Sequence, residues 1–188
     1  MGTPDFSVGV LEEIIRAGHE VVLAVTQPDK PKGRSGQMQF PPVKECALRH
    51  GLTIWQPQKI KTPEWVDRLR QLQADIFVVA AFGQILSKEI LDMPKYGCVN
   101  IHASLLPKYR GAAPINWAII NGEKETGVTI MQMNEGVDTG DMLTRVVVPI
   151  APKETAETLF DKLAKAGAEL IVETLPRLEA GEIIPGPQ

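Results

Sequence analysis

The chain has 188 residues, 44% of them hydrophobic and 23% charged, with a formal net charge of −3. That length and balance describe one ordinary domain, which buries about 70% of its extended-chain surface and needs neither disulfides nor a structural metal to fold. They exclude a domain that is basic over its whole surface, and no stretch is long and apolar enough to cross a bilayer.

Asp5 to Ala17 places Val10, Leu11, Ile14 and Ile15 at helical spacing, and Gly18 stops it. Glu20 to Thr26 (EVVLAVT) is a short β-branched run, the pattern of a buried parallel strand. Gln27 to Pro42 carries prolines and glycines without periodicity and predicts a long loop, functional or disordered. It holds Lys30, Lys32 and Arg34, with Lys44 just beyond. Most such basic runs are simply solvated, so charge alone is weak support for a nucleic-acid role. Val43 to His50 predicts a helix ended by Gly51, and Thr53 to Trp55 a short strand. Pro63 to Gln73 predicts a helix with proline in its first turn. Asp75 to Ala81 is a buried strand, Ser87 to Leu91 a short helix with Ser87 as its cap, and Gly97 to His102 another strand.

Pro114 to Asn121 predicts a helix. Gly127 to Met133 and Met142 to Ile150 alternate like half-exposed antiparallel strands. Thr155 to Ala180 is a long amphipathic helix, with Leu159, Leu163, Ala166, Leu170, Thr174 and Leu178 along one stripe. Strands alternating with helices indicate an α/β fold: a Rossmann-like open sheet, mostly parallel with antiparallel additions, and helices on both faces. Such a fold opens with a strand and a glycine turn. Met1-Gly2 stands where the turn belongs, so the first strand is expected to be missing, through truncation in the favoured reading, or through a misassigned start or a fold that tolerates the gap. Residues 1–180 read as one domain, and 181–188 as a Pro/Gly segment of the kind that begins a linker.

Ligands of open α/β sheets bind beyond the carboxyl ends of the strands. The strand GCVNIH delivers Asn100 and His102 to that edge, two residues apart and therefore on one face. Downstream, NEGVDTGD holds Asp138 between Gly136 and Gly140, which allow a sharp turn. Acyl transfer to an amine needs a donor for the developing oxyanion, a group that relays the amine proton, and a carboxylate that orients the imidazole. Asn, His and Asp supply these without a metal. Each piece alone has an ordinary structural explanation, and only the joint pattern carries weight. No HxxxH or CxxC spacing suggests a metal, so none is expected, and Cys46 and Cys98 read as free thiols. GxGxxG, GxxxxGK[ST] and GxSxG are all absent, which removes the usual nucleotide-binding and serine-hydrolase readings.

The segments MGTPDF, VTQPDKPKGR, PPVKE, AAFGQIL, CVNIHASLLPKYRGAAPINWAIING, ETGVTIMQM and EGVDTGDM, in this order, resemble the N-terminal domain of bacterial methionyl-tRNA formyltransferases. The resemblance runs through nearly the whole chain. Its N…H…SLLP…D core is shared by the wider group of 10-formyltetrahydrofolate-dependent formyltransferases, so it is more specific for the reaction than for the acceptor. The resemblance implies that Asn100, His102 and Asp138 are catalytic. It implies that Phe82, Gly83, Gln84, Ile85 and Leu86 line a folate pocket with Ser104, Leu105, Leu106 and Pro107, a signature loop. It assigns Lys30, Lys32 and Arg34 to the tRNA acceptor end, with Arg34 the key arginine. 10-Formyltetrahydrofolate is the implied formyl donor, initiator methionyl-tRNA the partner, and a cytoplasmic monomer the expected form. The resemblance makes residues 1–180 the formyltransferase catalytic domain and 181–188 the expected start of a linker to a C-terminal domain. The family's opening strand and C-terminal β-barrel are expected to be absent from this chain, and Asn116-Trp117 stands where many members have Gln-Arg. Two alternatives follow: a nucleotide-sugar amine as acceptor, or an inactive folate-binding fragment.

Overall fold

Two apolar clusters lie on opposite faces of the strands in the computed structural model, which describes residues 1–188. On one face, α1 (Asp5–Arg16) and α6 (Ala156–Glu179) pack together and against the sheet, burying Phe6, Val10, Ile101, Val128, Leu163 and Ile171. Gly167 lets α6 approach closely, since a Cβ there would stand 3.0 Å from Ile101 Cγ2. The other face is covered by α3 (Pro63–Leu72) and α4 (Lys88–Leu91), around Val66, Leu69, Phe77, Val79 and Ile90. Helices therefore cover both faces, as the alternating pattern predicts.

The main sheet has the order β5-β6-β7-β8. β5 (Phe77–Val79) pairs parallel with β6 (Cys98–His102), while β7 (Glu125–Gln132) and β8 (Met142–Pro149) extend it antiparallel. β1 (Ala24–Val25) and β4 (Ile54–Trp55) form a separate parallel pair, after which the chain enters α3; α2 (Pro42–Arg49) lies between β1 and β4 in sequence. The predicted strand Glu20–Thr26 is thus real only at its carboxyl end, where the β4 segment supplies partners through Ala24 N to Thr53 O and Thr26 N to Trp55 O.

Between β1 and β5 runs an apolar groove of about 620 Å³, walled by residues such as Val10, Leu23, Leu72, Ile76, Val78 and Leu175. Met1-Gly2 bridges the strands at one end: Gly2 N donates to Val25 O (2.9 Å), Met1 N to Val78 O (2.7 Å), and Ala80 N to Met1 O (3.0 Å). At that point the strands divide into two sheets, β1-β4 and β5-β6-β7-β8.

Several local expectations need correction. The long loop Gln27 to Pro42 contains a β-hairpin, β2 (Lys30–Lys32) against β3 (Gln37–Gln39), with a single tight helical turn at Gly33–Ser35. Left-handed Gly33 and Gly36 (φ 57° and 67°) flank that turn. Every residue of the two strands is exposed, so no alternation of apolar and polar side chains marked them. Ser87 occupies the cap position of α4 but makes no capping hydrogen bond, and its hydroxyl is buried without a partner. At α6 the cap is real: Thr155 Oγ1 accepts from Thr158 N (3.2 Å), and Thr158 Oγ1 accepts from Thr155 N (3.1 Å). Beyond α6, the segment 181–188 lies against the Met142 end of β8 and the loop before it. Gly186 bridges Met142, and Gln188 Nε2 donates to Asp138 O (2.8 Å) and Gly140 O (2.7 Å).

Candidate active site

β6 is the strand that builds the site. It is flanked on both sides, by Val79 and Met131 at Asn100 and by Thr129 at His102, so the two side chains leave a rigid backbone on one face. Both open into a cavity of about 720 Å³, within the usual range for small-ligand pockets. Asp138 reaches the same cavity from the loop between β7 and β8. The three predicted residues are thus brought together.

His102 is buried and held through one ring nitrogen. Nε2 lies 2.8 Å from the carbonyl oxygen of Tyr109. A carbonyl can only accept, so Nε2 carries the proton. Nδ1 then faces Asp138 Oδ2 at 3.6 Å, too long for a hydrogen bond but close enough for an ion pair once the ring is protonated. Asp138 Oδ2 also accepts from Gly111 N at 2.8 Å. A second proton on the imidazole would therefore meet a carboxylate on one side and a carbonyl on the other. Asn100 is half-buried, and its carboxamide takes no part in the hydrogen bonds that hold His102 and Asp138, which leaves it available to a ligand.

The framework explains how these groups are aimed. Tyr109 has φ 55°, which turns its carbonyl toward His102, and its hydroxyl anchors the residue by donating to Glu123 Oε1 (2.7 Å). That hydrogen bond, with the Lys108 ammonium, holds the Glu123 carboxyl below its ordinary range. Asp138 itself has φ 52°. At Gly140, a Cβ would lie 1.6 Å from Gln132 O, so only glycine allows the loop to pass here. Ala81, Tyr109, Ala113 and Asp138 are four of the non-glycine residues with left-handed backbone, and all cluster around this cavity. Such conformations cost energy and concentrate at functional sites.

Phe82, Gly83, Gln84, Ile85 and Leu86 line the cavity as expected. Gln84 also ties its loop down, donating to Gln27 Oε1 and Pro57 O and accepting from Ile60 N. Ser104, Leu105, Leu106 and Pro107 do not line it. Ser104 is fully buried and donates to Lys108 O (2.6 Å), and Leu106 N donates to Thr129 Oγ1 (3.2 Å). This loop, with its cis Leu106–Pro107 bond, is the frame that carries Tyr109 to His102. Lys30, Lys32 and Arg34 lie on the exposed hairpin, whereas Lys44 is withdrawn into a pair with Asp29 (2.8 Å) at the hairpin's base. Burial raises the Asp29 carboxyl, but the hydrogen bond from Gln56 and the Lys44 ammonium outweigh it and hold the group below its ordinary value of 3.8. Missed by sequence reasoning were the Tyr109 carbonyl, the Gly111 amide and the apolar wall of Met131, Met133 and Val137. The glycine of RGAAP was the available signal for the second.

A formyl transferase family model matches residues 1–175. The chain belongs to the formyl transferase family. It is 65% identical over 181 residues to a methionyl-tRNA formyltransferase of Agathobacter rectalis, covering 96% of this chain and 58% of that one. It is 55% identical over 184 residues to a methionyl-tRNA formyltransferase of Geobacter sulfurreducens, covering 98% and 58%. The chain thus spans somewhat over half the length of these curated relatives. Among solved structures, the phosphoribosylglycinamide formyltransferase of Bacillus halodurans superposes with a TM-score of 0.79 at 27% identity, covering 96% of this chain and 94% of that one. The formyl transferase fold of the neighbour agrees with the Rossmann-like α/β architecture. No helix is long and apolar enough to cross a membrane.

Proposed function

We propose that this chain is the catalytic portion, residues 1–180, of a cytoplasmic methionyl-tRNA formyltransferase, with 181–188 leading toward further sequence. It would move a formyl group from 10-formyltetrahydrofolate to the α-amino group of initiator methionyl-tRNA. The observation that carries the reading is the meeting of Asn100, His102 and Asp138 in one cavity, with the imidazole fixed between the Tyr109 carbonyl and the Asp138 carboxylate.

In this reading the neutral amine attacks the formyl carbon. A new C–N bond forms, the bond from the formyl carbon to the folate nitrogen breaks, and the proton lost by the amine is delivered to that nitrogen. Asn100 donates to the formyl oxygen as it gains charge. His102 Nδ1 takes up the amine proton, directly or through water, and Asp138 at 3.6 Å stabilises the imidazolium so formed. The partly apolar wall from Phe82 to Leu86 fits the ring system of a folate, and the cavity volume fits a molecule of that size. No metal is needed for these steps.

The methionyl-tRNA acceptor rests on two supports. Relatives at 65% and 55% identity are methionyl-tRNA formyltransferases. The hairpin also offers Lys30, Lys32 and Arg34 to solvent, and Gln27 before it is hydrogen-bonded to Gly83 and Gln84 of the cavity wall; there the cations would contact phosphates of the acceptor end. Phosphate contacts make binding salt-dependent, so weak tRNA binding that falls steeply with salt is expected, and each cation removed should lower the salt slope by about one. The deciding assay offers 10-formyltetrahydrofolate with methionyl-tRNA and a nucleotide-sugar amine together. Formylmethionyl-tRNA as product supports the proposal; formylation of the sugar alone overturns the acceptor, and turnover of neither overturns catalysis by the chain.

A further inference from the structure

Outside the lining of the site cavity, a second cluster joins two helices. Cys46 and His50 stand one turn apart, on α2 and at the residue that closes it, so they share a face. Glu12 of α1 lies against them: Cys46 Sγ is 3.2 Å from Glu12 Oε1, and His50 Nε2 is 3.0 Å from Glu12 Oε2. One ligand atom from each of the three lies within 4.8 Å of the others. None of the three lines the formyl-transfer cavity, and none has a part in the chemistry proposed there.

We infer that Glu12, Cys46 and His50 form a zinc-type metal site that clamps α1 to α2. The ligand chemistry selects the ion: a thiolate and an imidazole favour zinc or its analogue cobalt over magnesium or calcium, which take oxygen ligands. Zinc bonds of about 2.0–2.3 Å put neighbouring tetrahedral ligands roughly 3.3–3.7 Å apart. The cluster already approaches that spacing, and rotation of the Glu12 and His50 side chains, both partly exposed, closes it. Arg49 Nη2, 3.5 Å from Glu12 Oε1, holds the carboxylate now; the metal displaces it, and the exposed guanidinium is free to swing into water. The cation enters as M²⁺, the Cys46 S–H bond breaks, an M–S bond forms, and the proton leaves to solvent. Cys46 is fully buried, so the fourth position falls on the exposed His50 side and takes water. The consequence for the fold is local. α2 starts at Pro42, directly after the basic hairpin, so the metal steadies the element from which that hairpin projects. The CxxxH spacing escapes a search for HxxxH or CxxC, and Glu12 is distant in sequence.

The test titrates the purified chain with Zn²⁺ against a chromophoric chelator and, separately, with Co²⁺ followed by absorption. One equivalent of tight binding, a thiolate-to-cobalt charge-transfer band and a rise in thermal midpoint with Zn²⁺ are expected. His50→Ala, at an exposed position that leaves the core intact, should weaken binding by more than about tenfold. Cys46→Ser should abolish the band, and Cys98→Ser should leave it unchanged. The inference is overturned if the unaltered chain shows no charge-transfer band, if the band survives Cys46→Ser or vanishes with Cys98→Ser, or if His50→Ala binds as tightly as its parent.

Discussion

The cavity at the carboxyl end of β6 and the groove between β1 and β5 are lined in opposite ways. At the carboxyl end, β6 and the loops around it satisfy nearly every polar group: the His102 ring, the Asp138 carboxylate and the Ser104 hydroxyl each have a partner, and a glycine stands where a side chain would block the loop. Along the groove between β1 and β5, the walls are mostly apolar side chains, and hydrogen bonds cross only beside Met1-Gly2. Left-handed residues are gathered at the rim, whereas the groove is bordered by apolar side chains, several of them only partly covered. Precision is concentrated where charge must be positioned, and the α1–α6 core packs beneath it.

The sharpest way to break that comparison is at the rim. His102→Ala should lower single-turnover formyl transfer by about 100- to 10,000-fold, the usual worth of a positioned acid–base group, with thermal stability little changed. A loss of activity that follows a loss of folding would instead make His102 a structural residue.

Next in size is the contrast between core and groove. Leu163 is fully buried beneath β6 and β7, and Leu163→Ala should cost about 2–5 kcal/mol in denaturant unfolding. Leu23 borders the groove and is only partly covered, so Leu23→Ala should cost clearly less, about 1 kcal/mol. Equal costs would mean that the groove is packed as tightly as the core.

The smallest effect concerns the hairpin. The folded Asp29 carboxyl lies below its ordinary value of 3.8, so its stabilising pair with Lys44 is present in full above that value and is lost as pH falls through the lower folded value. Asp29→Asn should therefore lower the thermal midpoint by a few degrees at neutral pH, and the difference should vanish in acid. A difference that is the same at both pH values would assign the effect to packing.

How much of this was legible in the sequence follows from where the signal lies. α1 and α6 carry long apolar stripes with clear ends, and Thr155 was visible as the residue that starts α6. Asn100, His102 and Asp138 could be read because a strand end and a glycine-flanked turn are local patterns. The hairpin could not, since its exposed KPK and QMQ strands bury nothing. Nor could the hydrogen bonds of Ser104 and Leu106 to Lys108 and Thr129, which tie the signature loop to itself and to β7. The Tyr109 carbonyl is a backbone group, and no residue type announces it.

Asn100→Ala, followed by turnover and folate affinity on the same preparation, tests the central claim most directly. The account predicts a rate loss of about 100- to 1000-fold with folate binding changed no more than a few-fold, as for loss of an oxyanion donor. Turnover close to that of the unaltered chain, or a loss fully matched by weaker folate binding, would contradict it.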